Sequence, residues 1–138
     1  MPPGHTETVT HSMMNSVRLS MPASAENVSL ARSLAAAIAA RADLPVDQLE
    51  DLRLAVSEAV TGAVTDAVIG SEVECAFAEE PGWLEVRVAY TPVAGRAPDT
   101  DGFGWAIMRA LASELSVDVE DDRIAIALRL ERPLPVQA

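Results

Sequence analysis

The chain has 138 residues, about half of them apolar, and a formal charge of -11 from 21 acids against 10 bases. That balance fits one globular domain and excludes disorder; it also excludes direct nucleic-acid binding, which needs clustered basic side chains. No apolar run approaches the roughly 20 residues of a membrane span, no secretory leader pattern opens the chain, and Cys75 is the sole cysteine, so the expectation is a cytoplasmic protein without membrane contact.

Residues 1–14 (MPPGHTETVTHSMM) show no period and are expected to form a flexible tail in which His5 and His11 are solvated. From Ser16 to Met21 the chain alternates, with Val17, Leu19 and Met21 opposite Ser16, Arg18 and Ser20. This is the pattern of a half-buried strand, and Pro22 ends it. Ser24 suits the N-cap of a helix reaching about Arg41, whose buried stripe is Val28, Ala31, Leu34, Ala35 and Ile38. Leu44-Pro45 breaks that helix, and Pro45 and Asp47 suit the entry to the next.

The stretch Asp51 to Val68 (DLRLAVSEAVTGAVTDAV) reads as one long helix around which the chain is organised. Leu52, Val56, Ala59, Val60, Ala63, Val64 and Ala67 recur at helical spacing and form a broad apolar face. Within it stands a carboxylate, Glu58, and one turn later Gly62, which costs roughly 1 kcal/mol in a helix interior relative to Ala. On spacing alone the plainer reading is favoured. Glu58 then marks the margin of the face, and Gly62 permits a close helix contact.

After Gly70 the period becomes two. Val73, Cys75 and Phe77, then Leu84, Val86, Val88 and Tyr90, form the inward rows of a hairpin turning at Glu80-Pro81-Gly82. Thr91 to Asp101 reads as a mobile loop. Trp105 to Leu115 returns to helix, with Trp105, Met108, Leu111, Ala112 and Leu115 facing in. Val117 and Val119 mark a short strand, Asp121-Asp122 a turn, and Ile124, Ile126, Leu128 and Leu130 the last strand before a tail at 133–138. The order β α α β β α β β, with one apolar face per strand, predicts an α+β fold over residues 15–132. It is a two-layer sandwich, a mostly antiparallel five-stranded sheet with three helices on one face. The first strand and first helix leave an edge suited to a second copy, hence a homodimer.

No cluster of Cys and His suits a metal, and no GxxxxGK phosphate loop is present. What remains is Glu58 with Gly62, the loop, and Asp101-Gly102-Phe103-Gly104 leading into a helix. A GxG at a helix start offers free N–H groups and the positive dipole end to an anion, although glycines also serve ordinary joints.

Three segments, LPVDQLEDLRLAVSEAVTGAV, LEVRVAY and DGFGWAIMRALASELSV, give the chain its family resemblance. It resembles the anti-sigma factor serine kinases of bacterial stress and sporulation control, within the GHKL ATPase superfamily, and looks closest to actinobacterial members. The resemblance implies ATP and Mg²⁺ as cofactors, with an alternative sigma factor and a STAS-type anti-anti-sigma antagonist as partners. It places the catalytic carboxylate at Glu58 and the lid glycines at Gly102 and Gly104. Two matches fail. The family's magnesium Asn falls on Gly62, and its adenine-reading Asp falls on Tyr90, while Pro92 and Ala94 replace the glycines that follow. Lost ligands of this kind lower the expected ATP affinity at least roughly 100-fold. Asp66, one turn beyond Gly62, and Asp99 are the candidates to replace the missing ligand.

Overall fold

The computed structural model describes residues 16–132. The expected tails, with His5 and His11, lie outside the described residues. Strand β1 (Ser16–Pro22) leads through a single 3₁₀ turn (Ala25–Asn27) into α1 (Val28–Arg41), followed by α2 (Val46–Asp66). The hairpin β2 (Glu72–Glu80) and β3 (Trp83–Tyr90) comes next, then α3 (Phe103–Leu111), β4 (Glu114–Glu120) and β5 (Arg123–Glu131). The sheet order is β1-β2-β3-β5-β4, with every neighbouring pair antiparallel. This is the expected α+β sandwich.

Strict alternation places the core. Phe77 stands opposite Val86, Cys75 opposite Val88, and Val88 opposite Ile126, so one face of the sheet is continuous hydrocarbon. Leu52, Ala55, Val56, Ala59, Val60 and Ala63 of α2 are fully buried against that face. Burying a Leu or Val side chain in this way contributes about 1.5–3 kcal/mol. No charged side chain is buried among the described residues. On the opposite face Arg87 donates to Asp118 at 2.8 Å, and Arg129 lies between Glu85 (3.7 Å) and Glu114 (3.5 Å). Exposed pairs of this kind contribute less than about 1 kcal/mol each.

Several boundaries differ from the sequence reading, each for a local reason. Ser24 makes no cap to a backbone N–H; its hydroxyl lies 3.4 Å from the Glu26 carboxylate, and the first turn winds as 3₁₀. Asn27 holds the junction instead, its side-chain amide donating to the Pro22 carbonyl at 2.9 Å. Helix α2 enters where expected, with Pro45 as its N-cap and Asp47 in the first turn. It stops at Asp66, since Ala67 is already extended and bridges to Pro92. Helix α3 is shorter than expected. Ser113 N–H donates to the Arg129 carbonyl at 2.8 Å, so the chain has joined the sheet by then and Leu115 is a strand residue. The hairpin turns at Gly82, whose φ of 82° lies in the region that glycine tolerates best.

Candidate functional site

A cavity of about 260 Å³ lies between the C-terminal half of α2 and the start of α3. Its first wall follows from helix periodicity alone: Glu58, Thr61, Gly62, Thr65 and Asp66 recur at three- and four-residue steps and line one flank. Tyr90 closes it from the end of β3 and Ile126 from β5. Pro98 and Asp99 approach from the loop, and Gly102, Phe103, Gly104, Trp105 and Met108 from the start of α3. All six residues singled out in the sequence, Glu58, Gly62, Asp66, Tyr90, Gly102 and Gly104, therefore meet in one place.

Of the two central features of α2, Gly62 departs from the plainer reading, whereas Glu58 does stand at the margin of the apolar face. Gly62 makes no close helix contact: a Cβ built there meets nothing within 4 Å, so the glycine opens the wall. Glu58 is half-buried and reaches across to α3, where its Oε1 lies 2.8 Å from the position a Cβ of residue 104 would take. Any larger residue at 104 would displace that carboxylate. Gly104 stands in the first turn of α3, whose N-cap, Gly102, has no side-chain cap, so the Glu58 charge sits at the positive end of the helix dipole. Gly102 is equally confined, with Asp99 Oδ2 2.7 Å from its would-be Cβ, while Asp99 Oδ1 accepts the Asp101 N–H at 3.2 Å.

Asp66 is already engaged. Its Oδ1 pairs with Arg96 Nη1 at 3.1 Å, and the same guanidinium donates to the Thr65 carbonyl at 3.3 Å. The backbone fastens the loop at the same point, Val68 N–H to the Thr91 carbonyl at 3.0 Å and Val93 N–H to the Asp66 carbonyl at 2.8 Å. Pro92 sits between those two bonds, at a position that donates nothing. The first half of the expected mobile loop is thus tied to the end of α2.

Tyr90, expected both in the inward row and at the adenine-reading position, and Trp105, expected only in the core, contribute unmet hydrogen bonding at the cavity. Tyr90 is fully buried and its hydroxyl has no hydrogen-bond partner among the described residues; Trp105 is 7% exposed and its Nε1 is likewise unpartnered among them. Burial, and then the neighbouring Asp66 charge, push the Tyr90 hydroxyl up to about 12, so it is a neutral phenol at physiological pH. Buried polar atoms are normally paired, and an unpaired one costs about 1–3 kcal/mol. Trp105, Thr61 and Thr65 were not singled out as site residues. The threonines could have been found by stepping three and seven residues along the helix from Glu58.

Comparison with known proteins places this geometry. Over 82 residues, 56% of the chain, it is 42% identical to the serine-protein kinase RsbW of Listeria monocytogenes, and it spans about half (51%) of that relative's length. It is 28% identical to the anti-sigma F factor of Clostridium acetobutylicum, over 77% of this chain and 85% of that one. A crystal structure of the RsbU and RsbW domains of a Mycobacterium tuberculosis protein superimposes with a TM-score of 0.67. It covers 89% of this chain and 34% of that one at 17% identity, and so shares the fold. The histidine kinase-like ATPase domain model matches residues 21–130, and the chain belongs to that family.

Proposed function

We propose that this protein is an anti-sigma factor that binds and sequesters an alternative sigma factor, with a nucleotide site too degenerate to support kinase chemistry. The relatives named anti-sigma F factor and serine-protein kinase RsbW support the anti-sigma role. The state of the cavity wall supports the degeneracy.

Family membership implies ATP with Mg²⁺, and the residues present do not fit that pair. Gly62 has no donor atom for a hard cation, which takes oxygen ligands. Among the described residues no three His, Cys, Asp or Glu side chains cluster to hold a metal. Asp66, the candidate substitute, is neutralised by Arg96. Tyr90 fills the position of the adenine-reading carboxylate with a buried ring. The cavity, about 260 Å³, falls below the roughly 300–1,000 Å³ usual for small-molecule sites. The single observation that carries the reading is the open, ligandless flank at Gly62.

One observation favours the alternative, an active kinase that phosphorylates a serine of an anti-anti-sigma antagonist. Glu58, the family's catalytic carboxylate, lies in the cavity beside both lid glycines. Calorimetry separates the two readings. Binding of Mg-ATP weaker than millimolar, with no transfer to an antagonist serine, is expected; a Kd near 1 μM, about -8.2 kcal/mol, would overturn the degenerate-site reading, and phosphoryl transfer to the antagonist serine would establish the kinase. Gly62→Asn with Tyr90→Asp should restore measurable nucleotide binding, and either change alone less.

The net charge of -11 favours a basic region on the sigma factor and an association that slows with added salt. We infer that β1, an edge strand of the sheet, and α1, where Leu30 is 54% exposed, form a homodimer interface. Light scattering at tens of micromolar tests this, and a monomer mass counts against it.

A further inference from the structure

The cavity presents an unusual combination of charge and unmet hydrogen bonding. Its ionisable wall residues are all acids, Glu58, Asp66 and Asp99. The chain contains no lysine, and none of its arginines lines the cavity. Three of its five aromatic residues do: Tyr90, Phe103 and Trp105. Two of these hold buried, unpartnered polar atoms, the Tyr90 hydroxyl and Trp105 Nε1. A triphosphate entering here would meet carboxylates with no metal ligand or basic side chain to offset its charge. A cation would meet the opposite conditions. Carboxylates bind guanidinium and ammonium groups through charge-assisted hydrogen bonds, and aromatic rings attract them through their quadrupoles.

We propose that this cavity binds an organic cation, the guanidinium or ammonium head of a basic side chain or small amine, in place of a nucleotide. The proposal rests on the degenerate-site reading. Glu58 Oε1, which makes no hydrogen bond among the described residues, accepts from the cation, and Asp99 lines the same cavity. Tyr90, a neutral phenol, accepts a further N–H through its hydroxyl oxygen. Trp105 Nε1 can only donate, and it suits a carbonyl beside the cation, as in a peptide-borne arginine. Asp66 is occupied by Arg96 and is not counted among the cation's ligands. A cavity of this size accommodates one such head group without a nucleotide's base and ribose.

Trp105 is a reporter already in place. With Trp83→Phe it is the sole tryptophan, and its fluorescence can be followed during titration with N-acetyl-arginine amide, with spermidine, and with a short arginine-containing peptide. A saturable change is expected, weakened at least tenfold by Glu58→Gln and several-fold by Tyr90→Phe, with circular dichroism confirming that both variants fold. Tighter binding of the peptide assigns the cation to a protein partner, and tighter binding of spermidine to a free amine; both support the site. No saturable response to any cation up to 10 mM overturns the proposal, as does a response indifferent to both substitutions, which would locate binding elsewhere on the acidic surface. Mg-ATP is titrated alongside. Tight binding that displaces the cations would overturn the degenerate-site reading as well, whereas absence of both responses removes only the cation site.

Discussion

Helix α2 has two flanks that obey different rules. On the inner flank Leu52, Ala55, Val56, Ala59, Val60 and Ala63 are all fully buried. The other flank, Glu58, Thr61, Gly62, Thr65 and Asp66, lines a cavity and includes an open glycine, a carboxylate without a hydrogen bond among the described residues, and an aspartate held by an arginine from the loop. Apolar burial is cumulative and nondirectional, so the inner flank needs only size and periodicity. The cavity flank depends on particular atoms at particular steps, and it retains features that weaken a fold unless a ligand uses them.

The largest expected effect separates the two flanks by stability. Leu52→Ala removes a fully buried side chain and should cost about 3 kcal/mol, as large-to-small core changes do. Thr61→Ala, one residue from the core row but on the exposed cavity wall, should stay within about 0.5 kcal/mol. Urea unfolding of the two variants measures the contrast. Comparable losses would show that the flanks share one packing environment.

The same division explains what could be read from the sequence. The sheet rows and the inner flank were legible because alternation and helical period are set by burial: Leu84, Val86, Val88 and Tyr90 were expected inward and are fully buried. The boundaries were not. They depend on single bonds such as Asn27 to Pro22 and Ser113 to Arg129, which join residues that no period links. At the site, Glu58, Gly102 and Gly104 were singled out by resemblance, not by spacing, because one acid on a helix carries little signal. The open side of Gly62 was misread as a packing contact. Helical register placed Gly62 correctly on the wheel, but the neighbouring α3 and the loop decide which sectors of the wheel are filled.

Tyr90 joins the two flanks: it ends the buried row of β3 and also lines the cavity. Tyr90→Phe removes a buried, unpartnered oxygen while keeping the ring, and should leave stability unchanged or raise it by about 1 kcal/mol at neutral pH. Its effect on pH dependence has a definite sign. Burial raises the Tyr90 pKa from 10.0 to about 12 in the fold, so below pH 10 both folded and unfolded states are protonated and stability is full. Between 10 and 12 the unfolded chain releases its proton first, and stability falls. Cys75, raised from 9.0 to about 12 chiefly by burial and then by Glu74, starts its own decline at pH 9. Tyr90→Phe should therefore make the alkaline loss above pH 10 shallower and leave the decline from 9 to 10 in place. An unaltered slope in pH-jump denaturation would mean that the hydroxyl has a partner or reaches water.

The smallest effect is the most direct test of the open flank. Gly62 lies within α2, away from either end, and an added Cβ there meets no atom within 4 Å. Gly62→Ala therefore removes backbone freedom from the unfolded chain without creating a clash, and should stabilise the protein by about 0.5–1 kcal/mol. On the inner flank the reverse exchange, Ala59→Gly, should cost about the same through the backbone, and more through the lost methyl contact at a fully buried position. Thermal unfolding of both variants reads the pair. Opposite signs establish that a glycine persists at 62 against the preference of the helix. Such a residue is retained for the space beside it, which is the space that a ligand of the cavity would enter. If Gly62→Ala destabilises instead, the residue packs after all, and the cavity wall at this step is closed.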